Sequence, residues 1–284
     1  MEPYGFCGGV KRALETAYRA KEAFPTKQIY LIGALVHNEN VIGKLRKDGF
    51  FLFDGDTQET IGFLSSLPFG SVICFSAHGH PAVYEAVAKK RKAIVYDATC
   101  PYVKKNEADI QRALSMGRHV LFIGKKGHAE ALSALSLDME RVSLFDEDLP
   151  LESLKGEKIS VFSQTTMSER EVLHFSEKAE RELSSSTEFF ASRCLDAKKR
   201  QEAIVKMKEA DAFVVLGSSS SNNSKELLSV AKRHFPNKPC HLALSKDELL
   251  DVKFDKCIRS VALISGASTS QDDVLAAKGY LETL

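Results

Sequence analysis

Charge of one sign is what this chain lacks most plainly. Its 39 basic and 38 acidic side chains leave a formal net charge of +1, so there is no broad electrostatic case for nucleic acid or an anionic membrane surface as a partner. Long apolar runs are missing too. Nowhere do about 18 apolar residues follow one another, which argues against a membrane-spanning helix. The first residues do not show the basic, apolar and small-residue succession of a secretory leader, and the expected location is the cytoplasm. Cysteine is sparse, at six in 284 residues, too thin for a disulfide scaffold. No Cys-x-x-Cys pair occurs, which argues against a zinc ribbon or a thioredoxin-type site.

What is present is enough apolar content, 44%, for a substantial core. Length alone favours about two domains, but three cysteines point to three. Cys7, Cys100 and Cys194 stand 93 and 94 residues apart, and 90 residues follow the last. Each sits where a helix should open. Ala93–Tyr96 reads as a strand and 102–114 as a helix, with Pro101 suited to a first helical position. Val10, Ala13, Leu14, Ala17 and Tyr18 form the apolar face behind Cys7; Ala203, Ile204 and Met207 form the one behind Cys194. A thiol at a helix N-terminus faces unpaired N–H groups and the positive dipole end, which favours thiolate. Cys74, Cys240 and Cys257 border or enter apolar runs and read as structural.

The rest of the chain alternates strands and helices. Strands are expected over 28–35, 70–75, 93–96, 119–123, 158–162, 189–192, 212–216 and 260–264. Helices are expected over 41–47, 82–92, 102–114, 169–183, 225–235 and 272–281. This predicts an α/β fold with parallel-type sheets, in three similar α/β domains: 8–99, 100–192 and 193–284, with residues 1–7 on the third. Ligands of such sheets bind beyond the carboxyl ends of the strands. Short polar tips lie there: Val36–Asn40, Ser76–His80, Gly124–Glu130, Ser163–Thr166, Gly217–Ser224 and Ser265–Ser270. In a pseudo-threefold arrangement the cysteines and tips would meet at one centre.

Three thiolates on one centre suit an iron–sulfur cluster, and three ligands rather than four leave one iron open for a substrate. Three cysteines and a histidine would also suit zinc, and any one of these cysteines alone reads as an unremarkable free thiol. The tips contribute His37, His78, His128, Glu130, Thr165, Ser221, Asn222, Asn223 and Ser268. Many hydrogen-bond donors, few basic residues and one carboxyl describe an enclosed anion site with a proton donor. Phosphate or diphosphate is the natural ligand. His119, His174, His234, His241 and His80 read as surface or core residues.

Several motifs resemble one family in order and with compatible spacing. They are Gly5-Phe6-Cys7-x-Gly9-Val10, Val36-His37-Asn38, Ser76-Ala77-His78-Gly79, Asp97-Ala98-Thr99-Cys100-Pro101, Gly127-His128-x-Glu130, Gln164-Thr165-Thr166, Cys194 with Arg200-Gln201, the segment 221–224, and Gly266-Ala267-Ser268. Nearly the whole chain looks like the 4-hydroxy-3-methylbut-2-enyl diphosphate reductase (LytB) family. The resemblance implies a central 4Fe–4S cluster on Cys7, Cys100 and Cys194. It implies two-electron removal of the substrate's allylic hydroxyl as water, giving isopentenyl and dimethylallyl diphosphates, the last step of the methylerythritol phosphate route. His37, His78, His128, Ser221, Asn222, Asn223 and Ser268 would hold the diphosphate. Glu130 would relay a proton, with His128 beside it, and Thr165 would orient the hydroxyl. Electrons would come from a ferredoxin or flavodoxin, and the protein would be a monomer or weak homodimer.

The chain departs from the family pattern at four places. Only Met1–Tyr4 precede Gly5, where the family usually has a strand. Asn222 stands for the second serine of Ser-Ser-Asn, Ala129 for a proline, which would loosen the loop carrying Glu130, and Asp196-Ala197 for an Ala-Thr-like pair. Two further readings follow: a hydro-lyase using the same open iron without external electrons, and a non-catalytic sensor of iron or oxygen.

Overall fold

The structure, a computed structural model, describes residues 2–183, 187–190 and 194–284. In chain order its elements are α1 (Gly8–Ala23), β1 (Ile29–Ile32), α2 (Glu39–Lys47), β2 (Phe51–Phe53), α3 (Thr57–Ser66), β3 (Val72–Phe75), α4 (Ala82–Lys90), β4 (Ile94–Asp97) and α5 (Pro101–Ser115). There follow β5 (His119–Ile123), α6 (Ala129–Leu135), β6 (Val142–Leu144), β7 (Ile159–Ser163), α7 (Glu169–Glu182), β8 (Thr187–Phe189) and α8 (Leu195–Lys206). The last are β9 (Ala212–Leu216), α9 (Asn222–His234), β10 (Cys240–Ala243), α10 (Lys246–Leu249), β11 (Val261–Ser265) and α11 (Gln271–Leu281).

These elements form two compact units. One comprises Met1–Lys11, Val36–Asp48 and Cys194–Leu284; the other comprises Arg12–Leu35 and Gly49–Arg193. The second unit holds two four-stranded sheets, ordered β2-β1-β3-β4 and β6-β5-β7-β8, and the first holds a three-stranded sheet, β10-β9-β11. Every strand pair among the described residues is parallel. The fold is therefore α/β with parallel sheets, as the strand–helix alternation predicts.

Each sheet follows one plan. The chain enters at an inner strand, steps out to a short edge strand, then crosses back to the other side of its starting point. Loops leaving the entry strand and the strand reached by that crossing then diverge at their carboxyl ends, where ligands of such sheets bind. All six polar tips of the sequence follow one of these strands: β1 and β3, β5 and β7, β9 and β11. β3, β7 and β9 are buried along their whole length, as strands covered on both faces must be. In the second sheet Leu121, Ile123, Val161 and Phe145 fill one face, and Val120, Phe122, Phe162 and Ile110 the other. Full burial of such a side chain contributes about 1.5–3 kcal/mol, so the inner strands are rigid supports for the tips.

The edge strands β2, β6 and β10 do not stand out in the sequence. They are three or four residues long and only partly buried, so no long apolar run marks them. α3 does carry a mark: Asp56 and Glu59 form a reciprocal capping box at its start, a signature visible in the residues alone. The strand expected over 189–192 lies earlier, at Thr187–Phe189. Residues 191–193 lie outside the described residues.

Candidate active site

The three spaced cysteines occupy equivalent backbone positions. The carbonyls of Cys7, Cys100 and Cys194 accept from the amides of Lys11, Lys104 and Lys198 at 3.0, 3.0 and 3.1 Å. Each is therefore the cap of α1, α5 or α8, placed just before the first helical residue. That position ordinarily goes to Ser, Thr, Asp or Asn. Here the chain gives it to sulfur. The Val10 amide lies 3.4 Å from the Cys7 sulfur. No cysteine is in a disulfide.

The helix-end argument for thiolate acts in the expected direction and is outweighed. Burial raises the Cys7 thiol above its ordinary value, against backbone N–H bonds from Val10 and Gly9 that lower it. Burial likewise pushes Cys194 up to about 11, against Ala197 and Asp196 amides, and the nearby Cys7 adds to the rise. Cys100 belongs to the other unit, where its amide donates to Ala77 O at 2.9 Å and so fixes it beside the 76–79 tip.

In that unit the tips of β3, β5 and β7 bring His78, His128, Glu130 and Thr165 together. Gly79 turns with φ +82°, and a Cβ there would meet Glu107 and Val103 at 3.0 and 3.2 Å, so the tip needs glycine. The His78 and His128 rings meet edge to face, with centroids 5.6 Å apart. His128 caps α6: its Nδ1 accepts from Glu130 N at 3.2 Å. Glu130 therefore stands on the first turn of a helix rather than on a loop, and Ala129, a good helix former, does not loosen it.

Glu130 is the most distinctive group of the unit. It is 3% exposed. Its Oε2 accepts from Thr165 N at 2.7 Å and its Oε1 pairs with Thr165 Oγ1 at 2.8 Å. Burial raises its carboxyl to about 7, against both Thr165 bonds, and the Glu107 carboxylate adds to the rise. No cation bonds to it among the described residues. Thr165 is held in turn: Gln164 N donates to Ile123 O at 2.8 Å, and Gln164 Oε1 takes the Lys125 amide at 3.1 Å.

In the other unit the remaining tips interlock. Ser268 Oγ donates to His37 O at 3.0 Å. Asn223 Oδ1 accepts from Ala267 N at 2.9 Å, which leaves its NH₂ group to donate elsewhere. Ser221 caps α9 by accepting from Ser224 N at 3.3 Å, and Asn222 is the first helical residue. Cys7 N donates to Ala267 O at 2.9 Å, joining that cysteine to the Ser268 tip.

Arg200 completes this frame, and its role was not read from the sequence. It is 1% exposed. It bonds Asp196 at 2.7 Å, Ser265 O at 2.7 Å and Gly5 O at 2.8 Å. One guanidinium thus ties the turn before Cys7 to α8 and β11, using the forked geometry that only arginine offers. Asp196 supplies the countercharge. The spacing of Asp196 and Arg200, one helical turn, was the visible signal. Among histidines read as structural, His80 stacks on Phe75 at 3.8 Å and pairs with Glu85, and Cys74 is fully buried in β3.

Comparison with known proteins gives a consistent result. The family model described as LytB protein matches residues 1–282. A 4-hydroxy-3-methylbut-2-enyl diphosphate reductase of Symbiobacterium thermophilum is 34% identical over 287 residues, covering 99% of this chain and 95% of that protein. A relative of the same name from Geobacillus thermodenitrificans is 34% identical, over 95% of this chain and 84% of its own length. The solved E-1-hydroxy-2-methyl-but-2-enyl-4-diphosphate reductase of Plasmodium falciparum superposes with a TM-score of 0.84 at 28% identity, covering all of this chain and 86% of that one. A match across essentially the whole chain, over a fold whose inner-strand tips carry the expected residues, makes this chain a member of the LytB family.

Proposed function

We propose that this chain reduces 4-hydroxy-3-methylbut-2-enyl diphosphate to isopentenyl and dimethylallyl diphosphates. Two electrons and two protons enter, the allylic C–O bond breaks and the oxygen leaves as water. The observation that carries this reading is Glu130: an enclosed carboxyl with a pKa of about 7, hydrogen-bonded to Thr165. Such a group is matched to general acid work at neutral pH, and a reductive dehydroxylation needs a proton delivered to the departing oxygen. Thr165 holds Glu130 through both backbone and hydroxyl, and its hydroxyl is the group that would pass between Glu130 and the substrate oxygen. His128 fixes the start of the same helix. His37, His78, His128, Ser221, Asn222, Asn223 and Ser268 would bind the diphosphate. For Asn223 the support is that Oδ1 takes Ala267 N and leaves the NH₂ group as a donor; Ser268 already spends its hydrogen on His37 O and would meet the anion only after rotating.

Cys7, Cys100 and Cys194 would hold a 4Fe–4S cluster, within three domains spanning 8–99, 100–192 and 193–284. The donor set fits: three soft sulfurs, none in a disulfide, each at a helix N-terminus. Thiols raised by burial become ligands only when a bound cation offsets their lost hydration. When bound, such a cluster supplies the electrons and an open iron for the hydroxyl oxygen. A ferredoxin or flavodoxin would be the electron source. No helix among the described residues is long and apolar enough to cross a membrane.

The test is an anaerobic assay of reconstituted protein with a reduced viologen dye and the hydroxymethylbutenyl diphosphate. Substrate-dependent dye oxidation that vanishes in Cys100→Ser supports the reductase. Turnover without reductant would favour a hydro-lyase, and diphosphate binding without turnover a sensor.

A further inference from the structure

Glu39 begins α2, two residues after His37, and lies in none of the roles described so far. Its Oε1 accepts from Ser218 Oγ and from Ser220 Oγ, both at 2.9 Å. The two hydroxyls also touch each other at 2.6 Å, and Ser220 N donates to Ser218 Oγ at 2.9 Å. Ser218 is fully buried. Its carbonyl takes the Ser221 amide at 3.2 Å, so what Glu39 grips is the turn that presents Ser221, Asn222 and Asn223. The His37 segment is therefore tied to its neighbours at two points: by Glu39 to the 218–221 turn, and by its own carbonyl to Ser268.

A carboxylate beside an anion-binding site needs a reason, because it repels the ligand. Glu39 is exposed, and the partial burial of its carboxyl, which raises the pKa, is outweighed by bonds from Ser218 and Ser220 and by the neighbouring His37, so the group stays below the usual range and charged. It also sits in the first turn of α2, where negative charge is favoured. Its carboxylate reaches across to the serine turn.

We propose that Glu39 is a positioning residue, a latch that holds the His37 segment and the 218–221 turn in the one arrangement in which their donors can share a diphosphate. This rests on the proposed function, in which His37, Ser221 and Asn223 bind that group. Preorganised donors lose little freedom when the ligand arrives, and a latch acts on binding rather than on proton transfer.

The experiment compares wild type, Glu39→Ala and Glu39→Gln as cluster-reconstituted holoenzymes. Glu39→Ala should raise KM about tenfold, the loss of charged hydrogen bonds, with kcat within about twofold and melting temperature little changed. Glu39→Gln keeps an acceptor oxygen and should restore KM to within about threefold of wild type. An unchanged KM in Glu39→Ala, or a Gln variant as impaired as the Ala variant, overturns the latch. Should Glu39→Ala fail to fold, Ser220→Ala, at an exposed hydroxyl, should raise KM about threefold, and no rise overturns it. Inorganic pyrophosphate titrated calorimetrically into the same proteins reads the latch without turnover: weaker binding in Glu39→Ala supports it, and equal binding overturns it even if wild type reduces nothing.

Discussion

Glu130 and Arg200 are both ionisable, both almost fully enclosed, and handled in opposite ways. Arg200 is given a countercharge in Asp196 and carbonyls from Ser265 and Gly5. Its charge is paid for locally, and it holds parts of the chain together. Glu130 receives two bonds from one threonine and a second carboxylate nearby. Its charge is left undersupplied, so its proton is held until about pH 7. Full satisfaction of a buried charge makes a structural clamp; partial satisfaction makes an acid. Cys74 is a third case. Burial pushes its thiol up to about 12, so it stays neutral and needs no partner at all.

The largest effect should come from breaking the clamp. Arg200→Ala strands Asp196 and the carbonyls of Ser265 and Gly5, and should cost about 3–5 kcal/mol in denaturant unfolding. Arg200→Lys should recover little of it, because one ammonium cannot reach the forked partners. A loss below about 1 kcal/mol would show that the clamp is not where this unit's stability resides.

Next in size is the acid. Glu130→Gln should keep the cluster spectrum while kcat falls by about 10²–10³. Full activity in that variant would falsify the proton-relay role.

The same residue should give a pH-dependent stability. Its folded pKa, about 7, lies above the ordinary 4.5. Its contribution is therefore fully present below about pH 4.5 and is lost as pH rises through about 7. Relative to Glu130→Gln, wild type should lose on the order of 2–3 kcal/mol between pH 5 and pH 8. A constant difference across that range would mean that Glu130 is solvated.

A finer probe is Thr165→Val, which removes a bond favouring the charged carboxylate. The basic limb of the kcat profile should move up by about one pH unit, and a downward shift would contradict the assigned hydrogen bond. Smallest of all, Cys74→Ala should cost about 1 kcal/mol and leave iron content unchanged, in contrast to Cys7, Cys100 or Cys194.

How much of this was legible beforehand differs by element. The inner strands announce themselves as apolar runs because both their faces are covered, and the cysteines announce themselves by their interval. Thr165 and Glu130 could be named but not paired: 35 residues separate them, and only the crossing from β5 to β7 puts one beside the other. Arg200, Asp196 and Glu39 lie on helices where charged residues are ordinarily solvated, so the one-turn spacing of Asp196 and Arg200 does not by itself tell a buried clamp from a surface pair, and nothing local marks Glu39. The edge strands are too short for periodicity to register.

By itself the sequence determined the α/β class, the cysteine repeat and the residue types at each strand tip, because local patterning and chain order carry that information. Only the tertiary structure decided how far the Glu130 carboxyl is raised and which charged groups are clamps. A pKa is set by burial and by the partners that reach a group through space, and neither is a property of neighbours along the chain.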